Sequence, residues 1–338
     1  MESLDLRVLE EARAWRQAGH AVTLVTVVET WGSAPRPPGA LLAVRGDGVV
    51  SGSVSGGCVE DDLIARAKAE LNPSAGERSH KPAMIAYGAS TEEAARFGLP
   101  CGGTLRLVQE PLQDTRWIAD LLQLTAAHQL VARTLSLATG EVRLHQGRRG
   151  QAMVFDGRTL TTLFGPRWRL LLIGAGQLSQ ALANMAMALD FEVLVCDPRA
   201  EYAHTMFQRE LHNVRRVEGM PDDVVRELQV DAHTAIVALT HDPKLDDMAL
   251  LEALGSPAFY VGALGSRRNQ ESRKQRLAEH FELTEAQLDR LHGPVGLAIG
   301  ARTPAEIAVS ILAEIIQVKN AANPVAAASG RASSCALV

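Results

Sequence analysis

The sequence predicts an α/β protein of two domains, the second of them a doubly wound parallel sheet. Three observations carry this. The chain has 338 residues, more than one domain of ordinary size holds. Its C-terminal half alternates short runs of branched apolar residues with helical segments, the pattern of a parallel sheet covered on both faces. One of those apolar runs leads through Gly174-Ala175-Gly176 into a helix, the arrangement of a nucleotide-binding fold.

In chain order, Leu6, Leu9, Ala12 and Trp15 recur at helical spacing over Leu4–Ala18, and Gly19 stands where that helix ends. Ala21–Val28 is rich in valine and threonine and reads as a strand. The three prolines and two glycines of Thr30–Gly39 form a loop that carries Arg36, a candidate anion contact. Ala40–Val44 and Val49–Val54 read as strands joined at Gly46-Asp47-Gly48. Ser55-Gly56-Gly57-Cys58 then opens a helix over Val59–Leu71. Between about Leu130 and Phe164 short strands turn at Thr139-Gly140 and Asp156-Gly157. The expected boundaries are 1–165 for the first domain and 166–320 for the second, with a disordered tail at 321–338 that lacks large apolar anchors.

In the second domain Arg169–Ile173, Glu192–Cys196, Thr234–Leu239 and Ala258–Ala263 read as strands, and Gln177–Leu189 as a helix. Thr303-Pro304-Ala305-Glu306 starts the final helix with a capping box. Composition narrows the function classes. A formal charge of −5 disfavours nucleic acid, because phosphate contacts need a basic surface. No apolar run is long enough to span a bilayer and the N-terminus does not read as a signal peptide. Four separated cysteines without a C-x-x-C pair give neither a zinc pattern nor a disulfide framework, and point to a reduced, cytoplasmic protein with no dedicated metal site.

Candidate site residues fall in two groups. In the second domain Gly174 allows the tight turn, Gly176 allows a phosphate to approach the backbone, and Gln177 opens a helix whose N–H groups face that phosphate. Ser179 replaces the third glycine of the fingerprint. Asp197, at the end of the next strand, suits a ribose hydroxyl or is a turn residue before Pro198. Thr240, His241 and Asp242 follow one strand, and Gly265, Ser266 and Arg267 follow another. All lie at carboxyl strand ends, where ligands sit in open parallel sheets. His241 is a candidate proton carrier, while Arg268, Arg273, Lys274 and Arg276 read as a solvated basic helix face.

In the first domain Gly56, Gly57 and Cys58 form one glycine loop, and Cys101, Gly102 and Gly103 another. Each loop is suited to phosphate or pterin oxygens. Cys58 and Cys101 read either as reactive thiols, able to meet a soft metal or handle sulfur, or as small buried hydrophobes. Glu60 and Asp61 read as first-turn carboxylates answering the helix dipole rather than as acid/base groups.

These motifs, in this order, resemble the xanthine dehydrogenase accessory protein family (XdhC/CoxI). The likeness runs through GSAPRPPGA at Gly32–Ala40, GSVSGGCVE at Gly52–Glu60, CGGT at Cys101–Thr104 and GAGQLSQAL at Gly174–Leu182. It continues through THD at Thr240–Asp242, GALGSRR at Gly262–Arg268 and HGPVGLAIGARTPAEIAVSI at His292–Ile311. Ser55 departs from it, standing where a third glycine is expected.

The resemblance implies an N-terminal α/β domain joined to a Rossmann-like domain. It also implies a chaperone that binds molybdenum cofactor, protects it, supports its sulfuration and delivers it to a xanthine dehydrogenase or aldehyde oxidase type of enzyme. The cofactor is molybdopterin or its cytosine dinucleotide form, with its molybdenum near Cys58 or Cys101. Expected partners are the large subunit of the apo-molybdoenzyme, a cysteine desulfurase, a cofactor nucleotidyltransferase and further copies of the chain. The implied role is maturation rather than turnover. Two alternatives stay open: an NAD(P)-dependent oxidoreductase, and a scaffold whose nucleotide site is vestigial.

Overall fold

The computed structural model describes residues 3–30, 36–70, 81–88, 104–148, 151–199 and 214–321. They form two compact units, one ending at Pro166 and the other beginning at Arg167.

The first unit opens with α1 (Ser3–Gln17), followed by β1 (Val22–Thr30), β2 (Leu41–Arg45) and β3 (Val50–Gly52). Next come α2 (Cys58–Glu70), β4 (Ala83–Tyr87) and β5 (Leu105–Pro111). The five strands form an antiparallel sheet in the order β3-β2-β1-β5-β4. Strand side chains alternate between faces, and here both faces are covered. Leu24, Leu41 and Ala43 pack with Val8, Leu9 and Ala12 of α1, whereas Val25, Val27, Leu42 and Val44 pack with Val59 and Leu63 of α2. That double burial is why β1 lacks a polar face in sequence. The buried Asp5 carboxylate pins α1 by accepting from the Leu41 N–H at 3.2 Å.

The unit continues with α3 (Arg116–Ala126), β6 (Val131–Ser136), β7 (Val142–Gln146), β8 (Val154–Phe155) and β9 (Thr159–Phe164). These four strands make a second antiparallel sheet, ordered β7-β6-β9-β8. A buried ion pair joins the two sheets: Arg133 on β6 donates to both oxygens of Glu110 on β5. Its guanidinium carbon also lies 4.1 Å from the centroid of the Trp117 ring of α3.

The second unit contains β10 (Arg169–Ile173), α4 (Gln177–Ala188), β11 (Glu192–Cys196), β12 (Arg215–Val217) and α5 (Pro221–Glu227). After these come β13 (Thr234–Ala238), α6 (Pro243–Gly255), β14 (Tyr260–Ala263) and α7 (Arg267–Phe281). The short α8 (Glu285–Leu288) and β15 (Leu291–His292) precede α9 (Pro304–Ala321). The helix over 304–321 reaches one residue beyond the expected domain end, and the rest of the expected tail lies outside the described residues.

Every strand pair here is parallel, and the order is β12-β11-β10-β13-β14-β15. Counted from β10, this is the 3-2-1-4-5-6 order of a dinucleotide-binding fold, whose order reverses between β10 and β13. Leu170, Leu172, Val193 and Val237 face α4 and α9; Leu171, Ile173, Leu194 and Ile236 face α5, α6 and α7. No helix of the described residues is long and apolar enough to cross a membrane.

Removing one partner of a buried ion pair leaves the other charge uncompensated, at a cost of about 3–5 kcal/mol. Glu110→Ala is expected to destabilise the first unit by about that amount, with Glu110→Ala/Arg133→Met recovering much of it. Urea denaturation of the three proteins checks this; equal stability of Glu110→Ala and wild type would refute it.

Candidate functional site

The β10–α4 turn stands at the carboxyl edge of the parallel sheet. Gly174 has φ +111°, a left-handed region favourable only to glycine. Its N–H donates to the Cys196 carbonyl at 2.8 Å, which ties the turn to the end of β11. A Cβ on Gly174 would lie 3.1 Å from the backbone of both Leu239 and Thr240, so only glycine lets the β10 and β13 loops pass this closely.

Gly176 differs from it. Its backbone is extended, a conformation open to any residue, and a Cβ there would meet nothing within 4 Å. It caps α4 without a side-chain hydrogen bond to the first turn. Space and helix N–H groups therefore coincide, the requirement for an anion site at a helix start. Gln177 is exposed beside this space, and Ser179 is buried with a hydroxyl that has no partner among the described residues.

Asp197 sits under this turn, its side chain fully buried. Oδ2 accepts from the Ala175 N–H at 2.8 Å and from Arg199 Nη2 at 2.8 Å. Oδ1 accepts from Arg199 Nε at 2.9 Å and from the Arg199 N–H at 3.1 Å. Burial alone would raise the carboxyl pKa, but the bonds from Arg199 and Ala175 outweigh it and hold the group below its ordinary value. The expected ribose acceptor is thus engaged within the protein.

Beyond β13, Thr240 and Asp242 also serve the loop itself. The buried Asp246 accepts from the Thr240 N–H at 3.1 Å and from its hydroxyl at 2.6 Å. The Asp242 carboxylate caps α6 by accepting from the Lys244 N–H at 2.9 Å. His241 is exposed in the left-handed region at φ +61°, where histidine occurs more often than most residues.

Beyond β14, Gly265 leads to Ser266, which caps α7 through the Asn269 N–H at 3.2 Å, and Arg267 and Arg268 are exposed in the first turn. The basic run that follows is not a solvated face. Arg273 is buried, donating to the Leu264 carbonyl and to Asp246 at 3.3 Å, and Arg276 pairs with Asp247 at 2.8 Å. Asp246 and Arg273 thereby tie the β13 loop to the β14 loop. Both were hidden in sequence because a charged helix reads as solvated until its partner is known.

In the first unit the Ser53–Gly57 loop encloses Glu60. Oε1 accepts from the Ser53 hydroxyl at 2.8 Å and from the N–H groups of Val54, Ser55 and Gly56 at 2.8–2.9 Å. Oε2 accepts from the Gly57 N–H at 2.8 Å and from the Ser55 hydroxyl. Glu60 therefore does more than answer the helix dipole, and the N–H groups of Gly56 and Gly57 are directed to it. Ser55 supplies a hydroxyl donor that a third glycine would lack. α2 begins at Cys58. Arg36 is half-buried, and Cys101, Gly102 and Gly103 lie outside the described residues.

Burial raises the Glu60 pKa, but the loop donors outweigh it and bring the group down to about 2 from 4.5. A carboxylate whose pKa falls on folding adds stability above its unfolded value, and that stability drains as pH drops through the folded one. The Glu60 contribution is full above about pH 5 and disappears towards pH 2. Glu60→Gln is expected to lower stability near pH 7 by about 2 kcal/mol and to flatten the wild-type decline over that acid range. Chemical denaturation at pH 7, 5 and 3 reads both effects; parallel curves for the two proteins would contradict the assignment.

Comparison with known proteins agrees with this architecture. A family model described as the XdhC Rossmann domain matches residues 170–315, and one described as the XdhC and CoxI family matches residues 15–80. The molybdenum cofactor insertion chaperone PaoD of Escherichia coli is 31% identical over 306 residues, spanning 89% of this chain and 85% of that protein. A Bacillus subtilis protein described as a probable subunit of xanthine dehydrogenase is 29% identical over 330 residues, spanning 88% and 92% respectively. A solved structure from Bacillus halodurans, described as a xanthine dehydrogenase, superimposes with a TM-score of 0.73 at 24% identity, covering 95% of this chain and 96% of that one. The chain belongs to the XdhC and CoxI family, and its second unit is the Rossmann domain of that family.

Proposed function

We propose that this protein binds molybdenum cofactor in the cytoplasm, protects it, supports its sulfuration and delivers it to a molybdoenzyme of the xanthine dehydrogenase or aldehyde oxidase type. The family and the naming of PaoD as a cofactor insertion chaperone support that reading. The observation that carries it to particular residues is the open space in front of Gly176, at the α4 N-terminus where the strand order reverses. A pterin phosphate fits the chemistry of that position, being an anion opposite unpaired N–H groups. Gly176 and Gln177 would line the phosphate; Gly174, Thr240 and Asp242 would fix the loops around it; Arg267 would add a cation from the α7 start.

When bound, the cofactor would supply the redox-active metal that sulfuration modifies. The chain's own part is to hold the phosphate and limit access of water. Cys58 and Cys101 are assigned to sulfur handling. The proposed partners are a cysteine desulfurase and the large subunit of the apo-enzyme, with a nucleotidyltransferase where the dinucleotide form is carried. An oxidoreductase reading also draws on the strand order, yet His241 is exposed and has no carboxylate bonded to it among the described residues, unlike an oriented acid/base histidine.

Gly176→Val tests the assignment without disturbing the fold, since the backbone angles there suit any residue. Purified protein would be filtered anaerobically with molybdenum cofactor, and the retained molybdenum and pterin compared with an NAD(H) control. Stoichiometric retention by wild type and an affinity loss of at least about tenfold in Gly176→Val are expected. Unchanged retention would remove the phosphate from this loop, and retention of NAD(H) alone would favour the oxidoreductase. Cys58→Ala and Cys101→Ala are expected to keep the pterin but fail to support sulfuration, read as recovered activity of a reconstituted xanthine dehydrogenase.

A further inference from the structure

In the dinucleotide-binding fingerprint the acidic residue at the end of the second strand accepts hydrogen bonds from a ribose diol. Here that residue, Asp197 after β11, has four donors on its two oxygens: Ala175 N–H, Arg199 N–H, Arg199 Nε and Arg199 Nη2. A carboxylate offers about four lone-pair sites, so these donors saturate it. The side chain is also closed to solvent. Two of the four bonds form a fork from one guanidinium, a strong and geometrically fixed arrangement.

We infer that Asp197 is a positioning residue locked by Arg199, and that this lock makes the site a reader of phosphate that does not recognise a ribose diol. Asp197 holds the Ala175 N–H and thereby the turn between Gly174 and Gly176. Arg199 keeps the carboxylate charged and unavailable to hydroxyl donors. The ligand class that follows is a phosphomonoester held at the α4 N-terminus, with nicotinamide adenine dinucleotide disfavoured although the strand order and the first two glycines suit it. The inference rests on reading the Gly174–Gly176 turn as a phosphate site, and it narrows which phosphate compounds bind there.

The test is calorimetric titration of the full chain with NAD⁺ at pH 8, where the carboxyl group is ionised. Wild type is expected to bind NAD⁺ weakly. Arg199→Ala releases two acceptor positions on Asp197 and is expected to tighten NAD⁺ binding by about tenfold or more. Asp197→Asn/Arg199→Ala should lose that gain. Because Arg199→Ala strips a buried carboxylate of its cation, Arg199→Gln serves as a second, milder variant, and thermal unfolding establishes that each protein is folded.

A folded Arg199→Ala or Arg199→Gln with unchanged NAD⁺ affinity would overturn the inference. So would tight NAD⁺ binding by wild type that Asp197→Asn abolishes. Tight binding of NADP⁺ by wild type, lost in Arg199→Ala, would overturn it too, by making Arg199 a ligand contact. Cofactor retention is scored separately. Retention that depends on Gly176, without any gain of NAD⁺ binding in the Arg199 variants, would reject this inference and leave the proposed function standing. A gain of NAD⁺ binding without cofactor retention would do the reverse.

Discussion

The second unit depends on the close passage of two backbones, the β10–α4 turn against Leu239 and Thr240. The parallel pairing of β10 with β13 brings both loops to the same edge of the sheet. A side chain at Gly174 would then sit 3.1 Å from the neighbouring main chain, so that one of the two backbones would have to give way, and the residue would be held at φ +111°. Once that glycine is accepted, the surrounding loops have little freedom. The Ala175 N–H is directed to Asp197, the Thr240 N–H to Asp246, and Arg273 draws the Leu264 carbonyl to the same network.

Three internal carboxylates share a task. Glu60 gathers the Ser53–Gly57 loop, Asp197 holds the turn before α4, and Asp246 fixes the loop after β13. Each accepts from backbone N–H groups that a bound anion would otherwise attract. Unpaired N–H groups in a partly buried loop are costly, and a carboxylate from the chain satisfies them whether or not a ligand is present. The loops are thereby shaped before any ligand arrives, which lowers the ordering cost of binding. The α4 start at Gly176 is different, because no side chain caps it and the space before it is open.

The sequence made the parallel half legible because β10, β11 and β13 are buried on both faces and read as unbroken apolar runs with glycine or polar loops between them. The helices at Gln177 and Pro304 announced themselves through their starts. Residues 83–126 carried no comparable signal. β4 exposes Ala83, Met84 and Ala86 at a sheet edge and buries only Tyr87, and β5 mixes Arg106, Gln109 and Glu110 into its run. Glu110 looks like a solvated residue until Arg133 is placed on it. The same blindness affected the site. Glycines and strand ends show where the chain turns, but which carboxylate each N–H meets depends on partners that spacing does not reveal. Arg273, in a run with Lys274 and Arg276, has the pattern of a basic surface for that reason.

On the proposed reading, Asp197 is a case in which a motif finds a position in the fold without fixing the ligand chemistry there. A fingerprint identifies a position in the fold, and an acidic residue at the end of β11 satisfies it. Recognition belongs to lone pairs, and those are assigned by whatever donors lie nearest. Arg199 stands two residues further along and returns its guanidinium to the same carboxylate. An ion pair this short-ranged costs little chain entropy to close, so it competes effectively with an incoming hydroxyl. On that reading, one residue beyond the motif is enough to turn a site that would read a sugar into one that reads an anion, with no change in the sheet, the glycines or the helix behind them.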